Sequence, residues 1–336
     1  MARPIAALAR RASLALRLAE TWVHRPRTPT RLVLDITRRC NLRCAMCRTW
    51  EAPSAGELSA AEIIGIVDQL PGLCWLDITG GEPFLRGDTA EILRTIAARG
   101  RALQVLHFPT NGWFTARTIA AVTELLAVRD DLEVIVTVSV DGPPALHDRI
   151  RGRAGAFDRA IATFRGLRAL TDEERLKVYI GTTITTDNHD RLGELEAALI
   201  AAIPGFRSRA WHYNWLQVSG HFFHNEGVAA PPPPERLVHR HLGRRGIPRD
   251  LVDLMELVFL VNREFYNRGE AAGVPCQALR SAAFVSPEGD LYPCHVYDRP
   301  LGSLRERSFA ELWADPATLA ARADIERLAC GGCFTP

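Results

Sequence analysis

LVLDITRRCNLRCAMC, residues 32–47, begins as a short apolar strand and runs into three cysteines, Cys40, Cys44 and Cys47, with no fourth nearby. Protein metal sites are usually completed by four ligands, and no histidine stands close in sequence to supply the missing one. Thiolates select zinc or iron–sulfur chemistry. A cube of four irons takes one ligand per iron, so three local cysteines leave one iron open to a small molecule. Structural zinc, the competing reading, closes its own coordination shell.

The strand at 32–36 is the first of six. WLDIT (75–79), LQVLHF (103–108), EVIVTVS (133–139), KVYIGTTI (177–184) and AWHYNWLQV (210–218) follow it. They are separated by segments with the apolar spacing of amphipathic helices, such as SAAEIIGIVDQL and TAEILRTIAARG. Ser59 and Glu62 have the spacing of a capping box. Strand–helix units in series predict an α/β fold of parallel strands with outer helices, either a partial barrel or an open doubly wound sheet. In both, ligands gather at the C-terminal ends of the strands. The unusual motifs fall there: CNLRCAMC after the first strand, GGEP (80–83) after the second, PTNG (109–112) after the third, and SVDG (139–142) closing the fourth.

PPPP (231–234) then breaks the pattern as a stiff spacer, and PRDLVDLMELVFLVNREFYNRG reads as a long helix. In the tail, FVSPEGDLYPC signals a hairpin around Pro-Glu-Gly-Asp. The chain divides into a basic amphipathic helix (1–27), a core barrel (28–230), a Pro-rich spacer and helical linker (231–275) and a small C-terminal domain (276–336). In the first of these, Ile5, Leu8, Leu14, Leu16 and Leu18 alternate with Arg3, Arg10, Arg11 and Arg17. That pattern packs on its own domain or makes weak contact with an anionic membrane surface. Arg17 and Glu20 interrupt the apolar run before it reaches the length of an export signal.

With 336 residues, 47% hydrophobic, 24% charged and a net charge of +2, the chain has a globular makeup and no global affinity for nucleic acid. Eight clustered cysteines fit metal ligation in a reducing cytoplasm better than a secreted disulfide framework. Cys74, at the start of a buried strand, reads as core packing.

Cys40-x3-Cys44-x2-Cys47 after the first strand, joined to Gly80-Gly81-Glu82-Pro83 after the second, resembles the radical S-adenosylmethionine (SAM) superfamily. The resemblance implies a partial (β/α)6 TIM-type barrel whose three thiolates hold a 4Fe-4S cluster. The open iron chelates the amino and carboxylate groups of SAM. One electron, from a reductant such as flavodoxin or ferredoxin, cleaves the sulfonium to a 5'-deoxyadenosyl radical that abstracts hydrogen from substrate. By the same resemblance Gly80, Gly81, Glu82 and Pro83 form the loop that accepts the methionine ammonium. Ser139 and Asp141 stand near the methionine or ribose portion, with Thr110 and Asn111 beside them on the rim. Met46 takes the place of the aromatic residue that often touches adenine, and its polarizable thioether packs on a purine face.

SPEGDLYPC followed by LGSLRERSFAELW and CGGC resembles the C-terminal extension of the SPASM and Twitch subgroup. Cys276, Cys294, Cys330 and Cys333 suit one closed auxiliary 4Fe-4S cluster, the shorter Twitch arrangement, with a four-thiolate zinc knot as the alternative. His147, Asp148 and Arg151 follow SVDG and either position SAM or pair with one another on the surface. His212, Asn214 and Gln217, in the polar-aromatic sixth strand, are the candidates for touching substrate, His212 and Asn214 sharing one face by period two. The expected function is SAM-radical oxidation or rearrangement of a small polar metabolite such as a sugar or cyclitol, the auxiliary cluster accepting the electron. Modification of a ribosomally made peptide is the alternative, and a non-catalytic zinc protein is the reading from another class.

Overall fold

The computed structural model describes residues 12–17, 19–21, 24–170, 174–231, 246–248, 251–267 and 276–327. In chain order the elements are β1 (Arg31–Asp35), α1 (Ala60–Asp68), β2 (Trp75–Thr79), α2 (Thr89–Arg99), β3 (Val105–Thr110), α3 (Thr115–Val128) and β4 (Glu133–Ser139). There follow α4 (Pro144–Arg151), α5 (Ala156–Arg168), β5 (Leu176–Ile184), α6 (Leu192–Ala202) and β6 (Trp211–Trp215). The last are α7 (Leu251–Asn267), β7 (Ala282–Val285), β8 (Asp290–Tyr292), β9 (Gly302–Ser303), α8 (Phe309–Ala314) and α9 (Pro316–Glu326).

All strands lie in one sheet of order β6-β5-β4-β3-β2-β1-β7-β8-β9. β1 to β6 are parallel and each neighbours the next in sequence. That is the winding of a barrel; a doubly wound sheet reverses strand order at a switch point. The barrel is partial, since β6 and β9 are the sheet's two edges.

Ser59 caps α1 in a reciprocal box with Glu62, as its spacing predicts, and Ser308 does the same for α8 with Glu311. α4 is a helix the strand–helix reading passes over, although Pro at its first position and Gly152 in the left-handed conformation at its end mark it. β3 runs two residues later than LQVLHF and takes in Pro109. Its ladder to β2 stops at Asp77↔His107, so proline costs no bond on that side.

Leu34, Leu76, Leu106, Val136, Ile180 and Tyr213 point outward from the barrel into the main core beneath the helices. The inner face is closed at its N-terminal end by a smaller cluster in which Leu14 of the N-terminal segment meets Cys74, Val105, Ile135 and Tyr179. Gln104 donates to Ser13 Oγ at 3.0 Å beside it. The described part of this segment therefore packs on its own domain; residues 1–11 and Leu18 lie outside the described residues. Leu14→Ala leaves a cavity at the barrel floor and is expected to cost about 2–5 kcal/mol, read as a lower urea midpoint.

The boundary at 276 is not a break in the sheet. β7 pairs in parallel with β1, Arg31↔Ala282 to Leu34↔Val285, and the expected hairpin then runs antiparallel with Phe284↔Tyr292. Strands of four and three residues are too short to stand alone, and β1 would otherwise expose an unpaired edge. Joining the two satisfies both.

Candidate active site

Cys40, Cys44 and Cys47 sit on the loop that leaves β1, and its backbone is fastened on three sides. Arg43 and Ala45 N–H groups donate to the carbonyls of Arg151 and Ile150, and Arg48 N–H donates to Phe223. Asn225 Nδ2 donates to the Met46 carbonyl at 3.0 Å. The cysteines share an apolar pocket with Leu42, Met46, Leu146, Ile150, Leu216 and Trp113.

This donor set fits an iron–sulfur cluster. The thiols are free. Burial pushes the Cys40 thiol up to about 12 and raises that of Cys44. Arg151 offsets this in part at Cys44, and bound iron would supply the further positive charge that thiolates need here. Among the described residues no group of three or more His, Cys, Asp or Glu is arranged to hold a single metal ion. One zinc gathers its thiolates tightly around bonds of ~2.3 Å, whereas a polynuclear cluster spreads them over separate irons.

The glycine loop is pressed onto the same strand exit. Gly81 and Glu82 N–H groups donate to the Thr37 and Arg39 carbonyls. Gly80 has φ +142°, and a Cβ there would stand 2.4 Å from the Thr37 carbonyl oxygen; at Gly81 it would stand 2.4 Å from that of Arg39. Only glycine permits this approach.

Several side chains of the loops expected at SAM fasten those loops to one another. Glu82 is fully buried and accepts from Thr110 Oγ1 (2.9 Å) and the N–H groups of Asn111 (2.7 Å) and Phe84 (3.2 Å). Burial pushes its carboxyl up to about 7 against those donors. It ties GGEP to PTNG rather than presenting charge to a ligand. Asp141 is likewise fully buried: Oδ2 accepts from Arg151 Nε at 2.6 Å and Oδ1 from Thr183 N–H at 2.9 Å. Both oxygens are occupied inward, and the Asp141 carbonyl accepts from Asn188 Nδ2 at 2.8 Å. Ser139 is half-buried, Asn111 donates to Asn41 Oδ1 at 2.9 Å and lies 3.9 Å from Cys40 Sγ, and Met46 packs in the cysteine pocket. Pro83 opens a short turn beneath the loop.

His147, Asp148 and Arg151 do not form a surface trio. Arg151 pairs with buried Asp141 and donates from Nη1 to Cys44 Sγ at 3.7 Å. Burial holds the His147 imidazole well below its ordinary value, so it stays neutral and accepts from Asp141 N–H. Asp148 accepts from Gly155 and Phe157 N–H groups.

The inner wall below the rim is polar. His107 Nδ1 meets Asp77 Oδ1 at 2.7 Å and its Nε2 meets Thr137 Oγ1 at 3.0 Å, while Arg31 donates to Asp77 Oδ2 at 2.8 Å. Asp77 and His107 escaped the sequence reading, although a charged or polar residue at an inward position of an otherwise apolar parallel strand is a legible signal. His212 and Asn214 do share one face, 2.9 Å apart, and His212 Nδ1 meets Glu256 Oε1 of α7 at 2.8 Å. The linker helix thus covers the β6 edge. Gln217, which period two sets on the opposite face with Tyr213 and Trp215, lies beyond the end of β6 at Trp215, and its Oε1 meets His295 Nε2 at 2.6 Å.

His295 belongs to the C-terminal domain, which is locked to the cysteine loop. Arg38, two residues before Cys40, forms a bidentate pair with Glu288 at 2.7 and 2.8 Å. His221 stacks on Tyr292 at 4.1 Å and meets the Cys294 carbonyl at 3.1 Å. Cys276 is exposed and Cys294 half-buried; Cys330 and Cys333 lie outside the described residues.

Comparison with known proteins agrees with this geometry. A family profile described as the Radical SAM superfamily matches residues 34–198, and one described as SPASM, an iron-sulfur cluster-binding domain, matches residues 276–334. The chain is 26% identical to the AdoMet-dependent heme synthase of Oleidesulfovibrio alaskensis, over 83% of this chain and 73% of that protein. It is 26% identical to the mycofactocin maturase MftC of Mycolicibacterium smegmatis, over 88% and 73%. Streptococcus suis SuiB, solved bound to S-adenosylmethionine, shares the fold with a TM-score of 0.57 at 17% identity, over 88% of this chain and 68% of that one. Among the described residues no helix is long and apolar enough to cross a membrane.

Proposed function

Because the chain belongs to the radical SAM superfamily, in its SPASM/Twitch subgroup, we propose that this radical SAM enzyme oxidises or rearranges a small polar molecule held against the inner wall of the barrel. Its cofactors are a SAM-binding 4Fe-4S cluster, SAM, and iron–sulfur in the C-terminal domain. When bound, they would supply a 5'-deoxyadenosyl radical and an electron acceptor.

Cys40, Cys44 and Cys47 would hold the first cluster, and Cys276, Cys294, Cys330 and Cys333 the second. Gly80 and Gly81 keep the ammonium-accepting backbone close to Cys40, and Glu82 holds that loop to Thr110 and Asn111. Arg151 places a cation beside Cys44, favouring its thiolate. His107 and His212 have both ring nitrogens engaged by Asp77, Thr137, Glu256 and Asn214 and so line the wall as fixed polar pairs, and Asn214 Oδ1 is left to meet a substrate. The carrying observation is the Arg38–Glu288 pair, which fixes the cysteine loop and the C-terminal domain as one frame around that interior.

The name of the heme synthase supports a small-molecule substrate. A second reading, modification of a ribosomally made peptide, is favoured by the maturase relative. The test is anaerobic reconstitution, with about eight irons per chain expected, followed by SAM and dithionite. Formation of 5'-deoxyadenosine is expected, and a low-molecular-weight extract fraction should stimulate it. Stimulation by a peptide fraction alone selects the second reading; colourless zinc-loaded protein without SAM cleavage sinks both.

A further inference from the structure

Trp113 joins two surroundings. Its inner side packs in the pocket of Cys40, Cys44 and Cys47, and its outer side lines an open crevice of about 490 Å³ with Phe114, Arg117 and Arg159. Arg153 lies over the indole at 3.7 Å and Arg159 at 5.7 Å. Arg153 Nη1 also donates to the carbonyl of Asn41, next to Cys40, at 3.0 Å. Arg43, whose guanidinium lies over the Trp50 ring at 5.3 Å, and Arg149 are exposed on the cysteine loop and α4 and add to the positive charge of this part of the chain without lining the crevice. The acid nearest in sequence on that helix, Asp148, is turned inward onto two backbone N–H groups; Asp158 is exposed beside Arg159. An aromatic floor with an arginine rim is the composition of a recognition surface, and the excess of positive charge selects an acidic partner.

We propose that this crevice is the docking site of a small acidic protein carrying a one-electron centre, which reduces the cluster held by the cysteine loop. The inference rests on the function proposed above and names the partner of that site. One electron leaves the reduced carrier, which is oxidised by one, and the cluster gains it; no bond breaks and no proton moves. Trp113 is the only residue lining the crevice that also belongs to the cysteine pocket, among the described residues, so a carrier seated there is separated from the cluster by a single side-chain layer. Such contacts are small and short-lived, and their strength comes from charge that salt screens.

The test uses the reconstituted enzyme and a purified flavodoxin as probe, with Arg117→Glu/Arg159→Glu as the variant, since neither residue touches the cysteine loop's hydrogen bonds. Binding of oxidised flavodoxin, followed by titration calorimetry without SAM, is expected to weaken about tenfold or more in the variant, and in the wild type on going to ~0.5 M salt. Flavodoxin-driven 5'-deoxyadenosine formation should fall in parallel while dithionite-driven formation stays within about twofold. Unchanged flavodoxin binding in the variant overturns the proposal. So does binding of a short polyglutamate peptide by the wild type alone while flavodoxin binds both, which would assign the patch to an acidic peptide. Failure of dithionite-driven cleavage in the wild type would instead sink the proposed function, and the binding measurement reads the surface independently of it.

Discussion

Replacing Cys40, Cys44 and Cys47 together by alanine is expected to remove about half of the ~8 irons of the reconstituted protein and to abolish 5'-deoxyadenosine formation. The fold should survive. The three thiols belong to a small cluster at the rim, separate from the main core under the helices and from the plug at the barrel floor. Alanine there removes one buried and two half-buried sulfurs but no carboxylate–cation pair, so the far-ultraviolet dichroism should be retained. The iron that remains should show the absorption of the C-terminal cluster, because Cys276, Cys294, Cys330 and Cys333, proposed to hold it, lie on a different stretch of chain. Loss of nearly all iron from a folded variant would contradict two independently ligated clusters. Retention of nearly all of it would place the SAM cluster elsewhere.

Asp141→Asn is expected to destabilise the protein by about 3–5 kcal/mol, the cost of leaving Arg151 buried without its counter-charge. The asparagine can still accept from Thr183 N–H, so the loss isolates the charge on Oδ2. The Arg151 side chain is 11% exposed, and its other hydrogen-bond partner is Cys44 Sγ. In the protein without iron, adding Arg151→Met should recover much of the loss, since exchanging both members of a buried pair for uncharged groups is often close to neutral. Urea midpoints of the two variants measure this. A single substitution costing less than about 1 kcal/mol would mean that water reaches Arg151 and the pair is an ordinary surface one.

How far the site could be read in advance depended on how far apart its partners lie. The cysteine loop, GGEP, PTNG and SVDG announced themselves because each is a few consecutive residues, and period alone put them all at strand ends. The direction in which their side chains face was not local. Asp141 looks like a rim residue until β5 supplies Thr183 and the end of α4 supplies Arg151. Glu82 looks like a ligand until Asn111 and Thr110 come round from β3. Gln217 was aligned with its strand by period two, a rule that fails once the strand has ended. Pairs such as Arg38–Glu288 and His212–Glu256, 250 and 44 residues apart, leave no mark in any short window.

By itself the sequence determined the chemistry: three thiols in eight residues, one position short of a closed metal shell, on the first of six strand–helix units. Spacing along the chain suffices for that, because turn and loop geometry is set by neighbours. Only the tertiary structure decided that β1 is flanked by β2 and β7, that the C-terminal hairpin extends the barrel's own sheet, and that Glu82 and Asp141 hold the rim loops together. Those outcomes depend on which unpaired edge and which buried charge find a partner as the chain closes, and burial is a property of the packed whole.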